Sequence, residues 1–304
     1  MTQSLEALTR QIEGMESIHS VVHTMKTLSV INSAPYEQAA RAIQDYHRTI
    51  LDGLHGFFTG TGGPDLTPYA TGRRHIVVFG SDHGLCGTYN EAIAAHVAEA
   101  IVRNAEIVCV GAQMADALRE RGLAPLHVFL PAASVDGLAR LANFLTQHID
   151  TVQQSGQPQD VTVELAYVSR DANGVQTPGI VPLLPLSAEL VADLRATPWK
   201  SRARPMFSMP PQTLFRGLIR AHVFASLVRA AADAMLAENA ARLALMQQAE
   251  RSVEDRLDLL RTDANTLRQD QITTELLDVI VGFEALRATD RRAHPADVKG
   301  RTSE

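Results

Sequence analysis

The sequence has 304 residues, 45% of them hydrophobic, which is enough for one large domain or two modest ones with a substantial core. A net charge of -6 gives the chain no general electrostatic attraction to nucleic acid or to an anionic membrane surface. Its 2 cysteines cannot form a disulfide framework, and neither an export signal nor a run of about 18 apolar residues occurs. We therefore expect a cytoplasmic protein that reaches a membrane only through other proteins.

The N-terminal segment has the spacing of a long amphipathic helix. Pro35 removes a backbone donor and disfavours helical geometry at the residue before it, so the sequence predicts a kink or a restart of the helix there. Helical spacing then resumes and fades through Gly53 and Gly56 into a glycine-rich loop at 59–64. The apolar stripe before the proline consists of Leu5, Leu8, Ile12, Met15, Ile18, Val22, Met25 and Leu28.

The middle of the chain alternates between predicted strands and helices. Apolar, β-branched runs at 75–80, 107–111 and 126–130 are each followed by a helical stretch, which indicates a parallel sheet with crossover helices. Two later runs, at 161–168 and 180–186, flank a turn signal at 171–174 and predict a hairpin. Prolines in the last run place it at an edge of the sheet.

The last third of the chain has the composition of one very long helix. After Pro211 it contains only two glycines and no proline until Pro295, and about 75 helical residues would span about 110 Å. Its apolar residues keep the spacing of a coiled-coil seam, and only the N-terminal helix is long enough to pair with it. The predicted fold is α/β, with a small Rossmann-like parallel sheet domain (71–205) inserted between two long terminal helices. These helices (1–70 and 206–304, the second ending in a polar tail) form an antiparallel coiled coil.

The glycine-rich loop after the first predicted strand admits more than one interpretation. Residues 80–87 precede a helix, where a dinucleotide-binding loop would lie, but their glycine spacing does not match that fingerprint. A nucleophilic Cys86 with His83 as its base is a second possibility. We favour a structural turn formed by Gly84, Cys86 and Gly87.

A pair of histidines on the N-terminal helix has metal-ligand spacing. His19 and His23 are four residues apart, and Glu16 lies one turn earlier. The sequence shows no further ligand beside them, so a solvated helix face is the favoured interpretation. We predict no metal site, no cofactor and no catalytic residue for this chain.

Three motifs resemble the gamma subunit of F-type ATP synthases. The most distinctive is NTLRQDQITTEL at 265–276, in which Arg268 and Gln269 offer hydrogen bonds suited to an acidic loop of a partner. An exposed helix face is the simpler interpretation of that segment by itself. The other two motifs are SDHGLCGTYN at 81–90 and ENAARLALM at 238–246 together with MKTL at 25–28.

The resemblance covers nearly the whole chain and implies a central rotor stalk with no catalytic site of its own. Such a stalk mechanically couples proton or sodium flow through the membrane ring to ATP synthesis or hydrolysis. The implied partners are the alpha and beta subunits, the epsilon subunit and the c-ring, on the cytoplasmic face of the inner or plasma membrane. The implied contacts to the beta subunit are Arg268, Gln269, Lys26, Leu28, Thr273 and Glu275.

Several residues depart from the pattern of that family. A divergent second-copy enzyme, such as the sodium-translocating N-type ATPase of some bacteria, would account for them. Two other functions stay open at this point: a Rossmann-like nucleotide-binding enzyme, and a coiled-coil adaptor that never rotates. The departing residues are His19, His23, Thr27, Leu28, Pro35 and Asp270.

Overall fold

A computed structural model describes residues 5–64, 73–101, 105–154, 161–170 and 176–293, without the side chains of Arg170 and 287–293. The chain forms two compact units: the first contains residues up to His23 and from Gln248 onward, and the second contains Thr24–Gln247. These units cut across the predicted segments 1–70, 71–205 and 206–304, because both terminal helices contribute to each unit. The elements are α1 (Leu5–Thr61), β1 (Arg73–Phe79), α2 (Tyr89–Ala100), β2 (Ala105–Val110), α3 (Ala112–Glu120), β3 (His127–Phe129), α4 (Val135–Gln154), β4 (Val161–Arg170), β5 (Gln176–Leu184), α5 (Ala188–Ala196) and α6 (Pro211–Ala293).

In the first unit, α1 and α6 pair in an antiparallel arrangement, as predicted. Arg261 donates a hydrogen bond to Glu16 (2.7 Å), and His23 Nδ1 lies 2.9 Å from Glu250 Oε1. Residue numbers therefore rise along one helix as they fall along the other. The side chains buried between the helices keep the spacing of a coiled-coil seam. They include Leu8, Val22, Val253, Leu257 and Leu260.

Helix α1 is continuous from Leu5 to Thr61 with Pro35 inside it, so the predicted restart at this proline is wrong. The predicted fading at Gly53 and Gly56 is also wrong. A proline in a helix interior costs about 3 kcal/mol, which the packing of a long helix can offset. Tyr36 is buried directly after the proline, and its hydroxyl donates to the carbonyl oxygen of Ala132 (3.3 Å).

The second unit is built on a five-stranded sheet in the order β3-β2-β1-β4-β5. β1 is parallel to both β2 and β4, β2 is parallel to β3, and β4 and β5 are antiparallel. The predicted parallel sheet with a final hairpin is confirmed, whereas the predicted turn at 171–174 lies outside the described residues. β5 is an edge strand that contains Pro178 and Pro182.

Both faces of β1 are buried, because its side chains alternate between two cores. Ile76 and Val78 pack beneath α2 and α3, while Val77 and Phe79 pack against α4 and the α6 residues of the second unit. A third cluster surrounds Leu54, where α1 meets α5 and α6. The sequence did not predict α5, although Ser187 caps it by accepting a hydrogen bond from the Leu190 amide (3.2 Å).

Candidate partner-contact surfaces

The C-terminal part of α6 exposes every described side chain from 268 to 286, which we call the α6 contact segment. The large apolar side chains in it are highly exposed, up to 69% for Val279 and Leu286. Soluble proteins rarely expose so much contiguous apolar surface, and such a surface marks an interaction site. The exposed apolar residues are Ile272, Leu276, Leu277, Val279, Ile280, Val281, Phe283 and Leu286.

The polar residues predicted to bind a partner lie within two turns at the start of this segment. Arg268 and Glu275, seven residues apart, share one face of the helix, and Gln269 and Thr273 share the neighbouring face. The Thr273 hydroxyl donates to the carbonyl oxygen of Gln269 (2.9 Å), which leaves only its acceptor lone pairs for a partner. The segment therefore combines a cationic donor, an amide and a carboxylate with a broad apolar surface.

A shallow cavity of about 220 Å³ in the second unit brings together residues from three separate sequence motifs. Its lining includes Leu28 of α1, Gly84 of the β1–α2 connection, and Asn239 and Arg242 of α6. Leu28 is 47% exposed, so its predicted place in the buried stripe is wrong. The neighbouring inward position belongs to Ser29, which is buried.

Behind this cavity, Arg242 forms an ion pair with the buried carboxylate of Glu238. Burial raises the pKa of Glu238, and the Arg242 guanidinium beside it acts in the opposite direction. The pair fixes a charged side chain at the rim of the cavity, in the same unit as Leu28.

The six predicted beta-subunit contacts divide between the two units. Lys26 and Leu28 belong to the second unit, and the other four belong to the first. Within the first unit, α1 and α6 are in contact where His23 meets Glu250. Arg268 lies 18 residues beyond Glu250 along α6, a distance of about 27 Å on a helix. The predicted contacts of the first unit therefore lie far along α6 from the contact between His23 and Glu250.

Several polar groups of the β1–α2 connection are hydrogen-bonded within the protein. The Ser81 amide donates to Asn90 Oδ1 (3.0 Å), and Asn90 Nδ2 donates to Ser81 Oγ (2.8 Å). Asp82 Oδ1 accepts from the amide of Ala112, the first residue of α3 (3.0 Å). Gly87 has a φ of 62°, a left-handed conformation that favours glycine. The amide of Ser81 and the first amide of α3 are thus bonded to side chains of the protein itself.

Cys86 lies in the same connection and has the environment of a buried structural residue. Burial raises the pKa of its thiol, although the hydrogen bond with Ser81 acts in the opposite direction. The Sγ atom lies 3.5 Å from Ser81 Oγ and 3.9 Å from the backbone oxygen of His83. Its contact with His83 is therefore to the backbone and not to the imidazole that would act as a base. A reactive cysteine needs a lowered pKa, so this arrangement is the opposite of an activated nucleophile.

Comparison with known proteins gives a consistent result over nearly the whole chain. A family model described as ATP synthase matches residues 4–286. The ATP synthase gamma chain of Granulibacter bethesdensis is 28% identical over 301 residues, covering 93% of this chain and 99% of the relative. The gamma chain of Nitratidesulfovibrio vulgaris is 26% identical over 305 residues, with the same coverage.

Solved structures share the fold. A chain from the OSCP, F1 and c-ring structure of Euglena gracilis mitochondrial ATP synthase gives a TM-score of 0.65 at 17% identity, covering 98% of this chain and 99% of that one. A chain from the central stalk and c-ring of the Tetrahymena thermophila enzyme gives 0.54 at 15% identity, covering 75% and 99%. The family match and the gamma-chain relatives, together with this shared fold, define a central-stalk protein. The chain belongs to the family of F-type ATP synthase gamma subunits.

Sequence reasoning missed the apolar residues of the α6 contact segment. A search for three- and four-residue spacing selects one stripe, whereas Leu276, Leu277, Val279, Ile280 and Val281 are distributed around much of the helix. Their density is the signal that could have identified them.

Within the described residues, no helix combines the length and the apolar character needed to cross a bilayer.

Proposed function

We propose that this chain is the rotating central stalk of an F-type ATP synthase. In this proposal the α6 contact segment turns inside a hexamer of alpha and beta subunits, and the α/β domain rests with the epsilon subunit on the c-ring. The observation that carries the proposal is the exposed apolar surface of the α6 contact segment, from Ile272 to Leu286, in a member of this family. Such a surface requires a surrounding protein partner.

The proposed mechanism depends on the different side chains that the α6 contact segment presents on its different faces. Arg268 and Glu275 lie on one face, whereas Leu277 and Val281 lie far around the helix from them. As the stalk turns, each surrounding subunit meets a different face. Contacts that differ between two conformations of a subunit shift its population, and the nucleotide affinity of that subunit changes with it.

The polar residues of the α6 contact segment would add hydrogen bonds of defined geometry to this coupling. A hydrogen bond from the Arg268 guanidinium to a partner carboxylate would contribute about 1.5 to 3 kcal/mol. Gln269, Thr273 and Glu275 would complete that contact, and Lys26 and Leu28 would form another on the second unit. We assign all six to the beta subunit.

In this proposal ATP chemistry takes place on the partner subunits, and the stalk has no catalytic site or cofactor of its own. The hydrogen bonds that side chains of the β1–α2 connection make within the protein and the raised pKa of Cys86 support this view. The complex would lie peripherally on the cytoplasmic face of the inner or plasma membrane. We further propose that it couples either proton or sodium flow to ATP turnover, and dependence of ATP hydrolysis by the membrane complex on Na⁺ would assign sodium. Hydrolysis and proton pumping that ignore Na⁺ would assign the proton instead.

Direct observation of rotation tests the stalk proposal. A cysteine introduced by Glu120→Cys on exposed α3 would carry a fluorescent probe, since the two native cysteines are buried. With the alpha and beta hexamer immobilised, ATP should drive rotation of the probe in one direction, and a non-hydrolysable analogue should not. A chain that co-purifies with the hexamer but stays stationary is an adaptor. Stoichiometric binding of ATP by the purified chain would instead support a nucleotide enzyme.

A further inference from the structure

Two polar side chains occupy inward positions in the apolar seam of the first unit. On α1, His19 takes the position that three- and four-residue spacing assigns between Met15 and Val22, while Ile18 is exposed. On α6, Glu250 takes the inward position before Val253, and its side chain is only 14% exposed. A polar group in a seam costs free energy unless it has a partner, and each of these two residues has one on the opposite helix.

The surrounding side chains converge on these two residues. His19 Nε2 lies 3.4 Å from Glu254 Oε1, and His23 Nδ1 lies 2.9 Å from Glu250 Oε1. Ligand atoms of His19, Glu250 and Glu254 all lie within 4.8 Å of one another. A histidine pair on α1, four residues apart, therefore faces a glutamate pair of the same spacing on α6.

One pair of side chains in this cluster, His19 and Glu254, has the spacing of neighbouring metal ligands. Zinc bonds to imidazole nitrogen and carboxylate oxygen are about 2.0 to 2.2 Å long, and the edge of a tetrahedron is about 1.6 times the bond length. Neighbouring ligands should therefore be about 3.2 to 3.5 Å apart, and the nitrogen of His19 and the oxygen of Glu254 are separated by 3.4 Å. Two glutamates four residues apart on a helix also repel each other, and a divalent cation between them would remove that repulsion.

We propose that His19, Glu250 and Glu254 bind one divalent transition-metal ion, with Zn²⁺ as the best fit, and so fasten α1 to α6 in the first unit. A mixed nitrogen and oxygen donor set suits zinc, whereas Mg²⁺ and Ca²⁺ prefer oxygen ligands alone. Three protein ligands leave a fourth position for water.

His23 has a supporting part in this site. Its Nδ1 donates to Glu250 Oε1, which orients that carboxylate in the way that outer-shell hydrogen bonds orient metal ligands. The hydrogen bond from His23 therefore fixes the orientation of the whole Glu250 carboxylate, including its second oxygen. The inference goes beyond the proposed stalk function, because rotation and partner contact do not require an ion between these helices.

Zinc titration of the full-length purified chain, washed first with chelator, tests the site. Calorimetry should show one high-affinity equivalent per chain, and Co²⁺ in its place should give the visible absorption of a tetrahedral site. His19→Gln and Glu254→Gln should each weaken binding by about 100-fold or more, and His23→Gln by about 10- to 100-fold. The matched control is Glu16→Gln, which removes a cross-helix contact to Arg261 in the same unit but no ligand, and should leave the affinity unchanged.

Thermal melting provides the second measurement. Zinc binds the folded chain, so it should raise the melting temperature of the unmodified protein and of Glu16→Gln, but not of His19→Gln or Glu254→Gln. His19 and Glu254 are partly or largely exposed, so both variants should fold normally without metal. Absence of the single equivalent would overturn the proposal, as would tight binding that survives both ligand substitutions, which would place the zinc at other side chains.

Discussion

The Nε2 atom of His47 lies 3.0 Å from the Nδ1 atom of His222, where α1 and α6 pack together in the second unit. One ring must donate and the other accept, so this contact requires at least one neutral imidazole. Burial lowers the pKa of His222 to about 4, with His47 contributing in the same direction. Burial also lowers the pKa of His47, and the charge of Arg229 adds to the effect.

This pair should make the second unit sensitive to mild acid. A histidine whose pKa is lower in the folded state binds fewer protons than in the unfolded state, so its contribution to stability is complete above about pH 6.5. That contribution should fall by about 1.4 kcal/mol per pH unit as the pH decreases from about 6.5 towards 4. Urea unfolding at a series of pH values measures the slope. In His222→Leu the slope should flatten, whereas it should persist in His96→Gln, which changes a partly exposed histidine of α2. Equal slopes in all three proteins would show that His222 does not titrate in this way.

The ion pair between Glu238 and Arg242 should be far more important for stability than a surface pair of similar sequence spacing. Arg242→Met leaves the Glu238 carboxylate buried without its cation, which should cost about 3 to 5 kcal/mol of unfolding free energy. Glu238→Gln should cost less, because an amide oxygen can still accept from Arg242. As a control, Arg119→Met breaks an exposed pair with Asp116 and should cost less than about 1 kcal/mol. The urea midpoint of each variant measures these values, and equal losses at 242 and 119 would contradict the argument.

Glycine should be required at position 111 and dispensable at position 84. Gly111 has a φ of 103°, and an added Cβ would lie 2.3 Å from the backbone oxygen of Ser81. Gly111→Ala should therefore lower the unfolding free energy by about 3 kcal/mol or more, or prevent folding. No atom lies within 4 Å of a Cβ built at Gly84, so Gly84→Ala should change stability by about 0.5 kcal/mol or less. Thermal melting of the two variants compares them directly, and a tolerated alanine at 111 would refute the steric account.

Alanine at both Arg268 and Gln269 should impair coupling without unfolding the chain. Both side chains are exposed in the α6 contact segment, so their truncation should change stability by only about 0.5 kcal/mol. Loss of a contact of about 1.5 to 3 kcal/mol should slow a dependent step by roughly 10- to 100-fold. The measurement is the ratio of ATP-driven ion pumping to ATP hydrolysis in reconstituted vesicles. Arg256→Ala, on an exposed turn of α6 earlier in the first unit, is the control. An unchanged ratio in an assembled double mutant would make Arg268 and Gln269 ordinary surface residues.

The sequence was most informative where a single periodicity covers many residues. The continuous apolar run of β1 and the three- to four-residue spacing of the seam residues Leu257 and Leu260 are simple patterns of this kind, and the structure confirms both. The sequence does not predict the continuity of α1 through Pro35, because the cost of the proline is local, whereas the packing that outweighs it comes from residues distant in sequence, such as Ala132.

The cluster around His19 shows the same limit from another direction. The histidine spacing was visible in the sequence, but Glu250 and Glu254 are more than 200 residues away and come close only through the antiparallel pairing of α1 and α6. No pattern within one helix could have indicated this contact. The same holds for the shallow cavity, in which Leu28 meets Gly84 and Arg242.

The two borders of the β-sheet affect how a newly made chain survives before assembly. β3 has only three residues, and β5 contains Pro178 and Pro182, which cannot donate backbone hydrogen bonds. Neither border is a good template for adding a strand from another molecule. Unwanted association before assembly should therefore arise from the apolar side chains of a helix, as reversible clustering that a partner can displace, rather than from fibril-like strand pairing.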